Sequence, residues 1–273
     1  MWERKELKER GKVVFKRYYW KAVLVSFIAF MLTGGMGQVA NNVSDARDTY
    51  NEIQSEDYSD YYEDEYLDDY DDEYSGSEDS GTGIIESLFA DGLVLLFVNV
   101  FIIVLILSLL IKLFIAYPLT IGKNNYFMGI REEEKPVKTL LFAYKSGKLK
   151  SSIFTMFMME LFTYLWSLLF VIPGIVKSYE YRMIPYILSE NPTISRKRAF
   201  EISKQMMNGN KWETFVLDLS FLGWYLLSIC TLGLLSIFYV NPYVESTNAE
   251  LYAYLREDAL KNGYADQNEL IGF

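Results

Sequence analysis

Three long uncharged stretches constrain what this chain can fold into more than any other feature of its sequence. Residues 22–44, 92–111 and 219–244 contain no charged side chain and consist largely of apolar residues. As a helix, each stretch is long enough to cross the roughly 30 Å hydrocarbon core of a bilayer. The sequence therefore predicts an all-α, polytopic transmembrane helical bundle and not a soluble domain.

The negative charge of the chain is concentrated in one Tyr-rich segment. The net charge is −10, but residues 45–80 have 16 acidic residues against one arginine, so the remainder carries +5. Because neighbouring anions repel and few aliphatic residues could form a core, we expect residues 45–91 to be a disordered, solvated external loop. The alternative is calcium binding by the clustered carboxylates, although Tyr74 stands where an EF-hand loop requires glycine.

The basic segments predict which parts of the chain share one side of the membrane. Residues 1–21, 122–150 and 191–212 are rich in Lys and Arg, which indicates the cytoplasmic side. They can share that side only if two apolar blocks, the one between residues 150 and 191 and the one after residue 212, each cross the membrane twice. The turns of these blocks are then at Pro173-Gly174 and at Thr231-Leu232-Gly233.

The resulting prediction is a multi-pass protein of the cell membrane with about six spans and both termini cytoplasmic. Its first transmembrane helix covers residues 22–44, and the main bundle covers residues 92–260. Residues 261–273 form a cytoplasmic tail.

Two cytoplasmic segments have the pattern of interfacial amphipathic helices. In residues 1–21, Leu7, Val14 and Tyr18 recur at helical spacing among cations, which favours a helix resting on anionic lipid. An ordinary basic flank without an interfacial helix is the alternative reading of that segment. Residues 191–212 predict a second helix, with Ser195 or Thr193 as its N-cap, a stripe of Ala199, Ile202 and Met206, and a stop at Asn208-Gly209.

Five ionisable residues within the predicted spans are the candidate site: Lys112, Glu160, Glu180, Arg182 and Asp218. A charge at the bilayer centre costs about 2.5–3.5 kcal/mol, so these groups should face one another or water. Glu160 and Arg182 have similar predicted depths on neighbouring antiparallel spans, and we expect them to pair or to share a polar cavity. The five residues are either structural ion pairs or a polar path for an ion or solute.

The residue types exclude several kinds of chemistry. The chain has no histidine and one cysteine, so it has neither a Ser-His-Asp triad nor a structural zinc site. No phosphate-binding loop or nucleophile motif occurs, and Cys230 lies in an apolar run. We therefore expect no catalytic residue, no cofactor and no metal ligand, and a protein that is not an enzyme.

Three stretches carry a resemblance to a known family: the opening RKELKERGKVVFKRYYWKAVLVS, the central IPGIVKSYEYRMIPYILSENPTISRKRAFEISKQMMNGNKWETF and the closing FLGWYLLSICTLGLLSIFYVNPYVESTNAELYAYL. They resemble the bacterial integral membrane family catalogued as domain of unknown function 975. The central stretch is also distantly similar to the membrane domain attached to some glycerophosphodiester phosphodiesterases. These resemblances imply a membrane topology and no activity.

The favoured hypothesis is a non-enzymatic membrane protein that acts through membrane lipids or a membrane-protein partner, with no nucleic acid partner. The alternative is a small-solute or ion transporter or channel with a polar path near Glu160 and Arg182. A membrane enzyme is disfavoured because Glu160 and Asp218 have different predicted depths on different helices.

Overall fold

The structure, a computed structural model, describes residues 2–33 and 80–273, with side chains described for 2–33 and 95–273. Every regular element in these ranges is a helix, which confirms the predicted helical class for the described part of the chain. The chain divides into two compact units, Met1–Gly34 with Ile111–Phe273, and Gly35–Leu110. Most of the predicted acidic loop, residues 45–79, lies outside the described ranges.

Two helices open the chain, α1 (Arg4–Arg17) and α2 (Tyr19–Leu32). In α1, Leu7, Gly11 and Phe15 form the buried side, because residues four positions apart share one face of a helix. α2 is apolar and covers the first half of the predicted span over 22–44, while the residues from 34 onwards lie outside the described ranges.

α3 (Ser80–Ile111) is the one described helix of the smaller unit. It begins at Ser80, so the predicted loop over 45–91 extends too far. Ile84, Ile85 and Leu88 recur at helical spacing before the uncharged stretch, which extends the helix towards its N-terminus. The side chains described from Leu95 to Leu110 are almost all apolar and are exposed.

Two π turns interrupt the regular helical repeat, and each ends two residues before a proline. Lys112–Ala116 leads into α4 (Tyr117–Gly129), whose second residue is Pro118. Ser236–Val240 stands in the same position relative to Pro242. Proline has no N–H to donate and clashes with the carbonyl four residues earlier. The wider turn changes which carbonyl the proline faces, and the helix continues past it.

The other elements of the larger unit are short or medium-length helices joined by tight connections. In chain order they are a 3-10 helix (Val137–Leu141), α5 (Phe142–Lys145), α6 (Leu149–Leu169), α7 (Val171–Glu180), α8 (Ile184–Glu190), α9 (Arg196–Met207), α10 (Lys211–Leu219), α11 (Leu222–Cys230) and α12 (Asn241–Lys261).

The first predicted hairpin exists, but its turn lies elsewhere. The chain reverses at Phe170, whose extended backbone separates α6 from α7. The prediction of a turn at Pro173-Gly174 is wrong, because both residues lie in the first turn of α7, where a proline N–H would have no helical partner. Gly174 allows the two helices to approach closely, since a Cβ there would lie 2.1 Å from the Ser167 hydroxyl oxygen.

The second predicted reversal, at Thr231-Leu232-Gly233, is confirmed. α11 ends at Cys230, and Leu232 and Gly233 have positive φ angles of 51° and 81°. Glycine adopts such angles readily, and the Gly233 N–H donates to the Ser228 carbonyl at 2.9 Å. This turn closes the end of α11 over its own last carbonyl groups.

α9 is the amphipathic helix predicted between the hairpins. The Ser195 hydroxyl caps its N-terminus by accepting the Arg198 N–H, and the helix ends at Met207, just before Asn208-Gly209. The apolar stripe Ala199, Ile202 and Met206 is buried, but it is buried among α8 and α12. The buried side of α1 likewise packs on α12, so protein and not lipid covers the buried sides of both helices, while Val14 and Tyr18 of the predicted stripe are only half-buried.

The core lies where α4 and α12 meet α1, α2, α8 and α9. Its largest buried side chains include Phe15, Ile121, Tyr126, Phe127, Ile187 and Tyr252. Residues 122–129, which we predicted to be the start of a polar cytoplasmic segment, are therefore part of the core. The apolar part of this segment, residues 126–130, is short and lies between Lys123 and Arg131, which conceals it in the sequence.

Three described helical stretches are long and apolar enough to cross a membrane: Leu95–Gly129, Leu149–Leu169 and Lys211–Cys230. α2 is apolar but shorter. The ends of the two hairpins expose a group of large apolar side chains, namely Leu168, Leu169, Phe170, Val171, Ile172, Leu226, Leu227, Ile229 and Leu232. We call these residues the hairpin ends.

Candidate functional site

The five ionisable residues predicted as a cluster all lie in the larger unit, and each pairs with another charged residue. Lys112 pairs with Glu160, and Arg182 pairs with Asp218. Glu180 pairs with one lysine of its own helix and with one of α10. The structure thus divides the predicted cluster into three ionic groups, and the predicted contact between Glu160 and Arg182 is not formed.

The first group links the π turn that precedes α4 to α6. The Lys112 ammonium contacts the Glu160 carboxylate, and both side chains remain partly exposed. Because both residues lie in stretches apolar enough to span a membrane, the pair replaces two separate charges by a neutral unit. A neutral pair is much less costly in hydrocarbon than two isolated ions.

The second group is a fork of hydrogen bonds around Arg182. Its two terminal nitrogens donate to the two Asp218 carboxylate oxygens at 2.5 and 2.8 Å, a bidentate geometry specific to arginine. Tyr179 donates its hydroxyl to Asp218 at 2.8 Å, and Arg182 also donates to Asn248 at 3.0 Å. The group therefore joins α7, α10 and α12 and leaves no acceptor oxygen of Asp218 without a donor.

The third group surrounds Glu180 at the C-terminal end of α7. Its carboxylate accepts from Lys177 and Lys211, each at 3.0 Å, and Lys204 lies 3.7 Å away. The Glu180 side chain is only 10% exposed, whereas the lysine side chains are 23–47% exposed. Three ammonium groups around one carboxylate leave the group with a net charge of +2, and we call it the lysine cluster.

Glu160 and Arg182 share an open cavity although they do not touch. The cavity lies between α6 and the α7–α8 segment and has a volume of about 400 Å³. Its lining includes the hydroxyl-bearing side chains Thr163, Tyr164, Ser167, Ser178 and Tyr181. The hydroxyls of Thr163 and Ser167 already donate to helix carbonyls at 2.8 and 2.9 Å, so their donor capacity is used within α6. A shared cavity is the alternative to direct pairing that the sequence predicted for Glu160 and Arg182.

Three further acids, two of them buried and one half-buried, were missed by the sequence analysis. They lie on α8 and α12 and pair with bases on α4, on the segment after it and on α12 itself: Lys123–Glu245 at 2.5 Å, Arg131–Glu250 at 2.8 Å and Arg256–Glu190 at 2.7 Å. For the two acids on α12, the available signal was their recurrence in the otherwise uncharged stretch that begins this helix. Each such acid requires a cationic partner on a neighbouring helix.

Glu190 is the most enclosed of these acids and fixes the C-terminal segment. Its side chain is fully buried and accepts from the Tyr252 hydroxyl at 2.7 Å, from Arg256 Nε at 2.7 Å and from the Gly272 N–H at 2.6 Å. Arg256 also donates to the Leu270 carbonyl at 2.8 Å. The predicted tail over 261–273 therefore folds back on the helices.

A second contact holds the same segment. Arg198 donates to both Glu269 carboxylate oxygens, at 2.6 and 3.0 Å. These hydrogen bonds lower the pKa of the Glu269 carboxyl and raise the pKa of Arg198. The C-terminal segment thus has an ionic contact with α9 in addition to its contact with α8.

The described residues contain no group of three or more Cys, Asp or Glu side chains that could hold a metal ion. Cys230 is exposed at the end of α11, and the segment for which we considered calcium lies outside the described ranges. What the described groups can do chemically is to neutralise charge between helices and, at the lysine cluster, to attract an anion.

These features define a protein whose described part is entirely helical, with three helical stretches long enough to cross a membrane and with charged side chains paired between helices. The chain belongs to the DUF975 family of proteins of unknown function, whose sequence model matches residues 85–259. The family predicted from the sequence is thereby confirmed. No curated protein and no solved structure matches the chain.

Proposed function

We propose that the protein is a non-enzymatic, multi-pass protein of the cell membrane that acts through lipids and membrane-protein partners. The observation that carries this proposal is the apolar surface of the hairpin ends. Large exposed apolar patches mark membrane or protein contact sites. The charged groups of the predicted spans are paired with one another, so they do not prevent these helices from entering a membrane.

The proposed topology has about six spans, with both termini in the cytoplasm. The reversals at Phe170 and at Thr231-Leu232-Gly233 support it, because each divides an apolar block into two antiparallel arms. The basic segments before and after the hairpins then lie on one side of the membrane, and the acidic segment 45–79 lies on the other.

Cysteine labelling tests the topology. In a Cys230→Ser background, Ser77→Cys should react with a membrane-impermeant maleimide in intact cells. Lys197→Cys, whose native side chain is 89% exposed on α9, should react only after permeabilisation. Reaction of both positions from outside the cell would refute the shared cytoplasmic side of the basic segments.

Photo-crosslinking tests the mode of action. A photoreactive amino acid at Leu232, which is 93% exposed at the hairpin ends, should form adducts with lipids or with another membrane protein in native membranes. The control position is Gly147, which lies in a polar turn. The proposal fails if Leu232 gives no more lipid or protein adducts than the control position.

The open cavity shared by Glu160 and Arg182 favours a second candidate, an ion or small-solute transporter or channel. Planar-bilayer recordings of the purified protein test it directly. Conductance above that of protein-free bilayers, altered by Glu160→Gln, would favour this candidate over the first. Conductance indistinguishable from protein-free bilayers in several salts would exclude an ion channel.

A further inference from the structure

We propose that α7, α9 and α10 form a binding site for one anionic phospholipid. The lysine cluster takes the headgroup phosphate, and a groove between α7 and α10 takes part of an acyl chain. This inference deepens the proposed function, on which it rests, by naming the class of lipid that the protein holds.

The lysine cluster supplies the charge. Lys177, Lys204 and Lys211 all lie within 3.7 Å of the Glu180 carboxylate, so their ammonium groups are close neighbours. One buried carboxylate cannot neutralise three cations, and the lysine side chains remain partly exposed. A phosphate that approaches from outside meets three ammonium groups whose mutual repulsion the single Glu180 carboxylate offsets only in part.

The other acids of these helices do not neutralise the excess charge. Asp218 on α10 is occupied by Arg182 and Tyr179. Glu201 is paired with basic side chains of α9 itself, and Glu213 on α10 lines a separate cavity beside α1. Among the described residues, the lysine cluster therefore keeps its net charge of +2.

The groove supplies the apolar part of the site. It has a volume of about 380 Å³ and is lined by Ile175, Val176, Tyr179, Trp212 and Phe215, with Lys211 as its one charged residue. Tyr179 turns its hydroxyl to Asp218, and so it contributes its ring to the groove. Lys211 belongs to both features, which places the cationic centre at the groove itself.

The proposed site lies in the chain where a basic segment meets an apolar one, as expected at a membrane interface. Lys204 and Lys211 belong to the basic segment assigned to the cytoplasmic side, whereas Ile175 and Val176 belong to an apolar arm. Trp212 is 69% exposed at their junction, and tryptophan is enriched where hydrocarbon meets headgroups. A phospholipid has the same order of parts, with phosphate at the interface and acyl chain below it.

Fluorescence quenching in nanodiscs tests the site on the full-length protein. The probes are brominated phosphatidylglycerol and brominated phosphatidylcholine, each at a low fraction in unbrominated phosphatidylcholine. The Trp212 signal is the difference between the wild-type protein and Trp212→Phe. Brominated phosphatidylglycerol should quench this signal at a fraction at least tenfold lower than brominated phosphatidylcholine does. Equal quenching by the two lipids overturns the proposal, even if no lysine variant folds.

Charge-matched variants separate the cluster from general attraction to a basic protein. Lys204→Gln/Lys211→Gln should raise the phosphatidylglycerol fraction for half-maximal quenching at least tenfold. Lys145→Gln/Lys197→Gln, which removes two exposed lysines elsewhere, should leave it unchanged. Equal effects of the two double variants would show that net charge, and not this cluster, attracts the lipid.

Two outcomes would identify a different occupant or origin of the signal. If millimolar glycerol phosphate displaces the lipid completely, the groove contributes nothing and the site is a simple phosphate site. If Val176→Asn leaves quenching unchanged, the acyl chain does not lie in the groove. Either result overturns the lipid assignment, whereas failure of crosslinking at Leu232 would overturn the proposed function and leave this site to be judged by quenching alone.

Discussion

Replacing Glu190 with glutamine should weaken the attachment of the C-terminal segment more than any exposed acid-to-amide change. Glutamine keeps the size of the side chain but removes the charge that faces Arg256. It also places an amide donor among three donors, from Tyr252, Arg256 and Gly272. Because an amide nitrogen cannot accept, the hydrogen bond that Tyr252 donates to Oε2 is lost or must reverse its direction in a fully buried position.

The expected size follows from the burial of the pair. Breaking a buried ion pair by removing one partner costs about 3–5 kcal/mol, because the other charge stays uncompensated. Arg256 is 25% exposed and recovers some hydration, so we expect about 3 kcal/mol, at the lower end. At roughly 2–4 °C per kcal/mol for a chain of this size, the Tm should fall by about 6–12 °C.

Thermal unfolding and limited trypsin cleavage at Lys261 measure the effect, since cleavage there requires the end of α12 to open. The control is Glu133→Gln, which removes an exposed partner of Lys135 and should change neither reading. The double variant Glu190→Gln/Arg256→Gln should lose less than the sum of its single variants. The reasoning is refuted if Glu190→Gln keeps the wild-type Tm and the wild-type rate of cleavage.

Three further outcomes are expected. Gly11→Ala should destabilise by about 1–3 kcal/mol in thermal unfolding, although alanine favours helix, because its Cβ would lie 2.8 Å from backbone of α12. Arg182→Gln alone should destabilise by about 3 kcal/mol, and adding Asp218→Asn should recover part of this loss in the same assay. Glu269, whose pKa is lowered by Arg198, should contribute stability above its unfolded pKa of about 4.3 and lose it as the pH falls towards the folded pKa. Melting curves between pH 7 and pH 3 should show this loss in the wild-type protein and not in Glu269→Gln.

Each of these outcomes has a result that would contradict it. A Gly11→Ala protein more stable than the wild type would mean that α1 moves away from α12 at little cost. Strictly additive losses at Arg182 and Asp218 would mean that their hydrogen bonds are not coupled. A pH dependence that persists in Glu269→Gln would assign the acid sensitivity to another carboxylate.

The helical class and individual helix ends could be predicted because apolar and capping patterns act locally. Ser195 and Gly233 are examples, since a hydroxyl cap and a positive φ angle depend only on the next few residues. The turn at Phe170 could not be predicted in this way. Its place depends on the fit of Gly174 against Ser167, which is a contact between two helices.

The ionic partners were harder to predict for a related reason. The cost of burying Glu160 or Arg182 indicated that each needs a partner, but it did not indicate which one. Arg182 reaches Asp218, 36 residues away, because α7 and α10 pack together. The same limitation concealed Glu190, whose partners come from α12 and from the C-terminal segment.

The π turns also decide which side of a helix each downstream residue occupies. Successive residues of an α-helix are about 100° apart around its axis. Deleting one residue from Ser236–Val240 would return that turn to an α repeat and rotate the whole of α12 by about that angle. Glu250 would then turn away from Arg131, although neither residue had been changed. In this chain the deletion of one uncharged residue therefore acts as a simultaneous substitution of the entire buried face of α12.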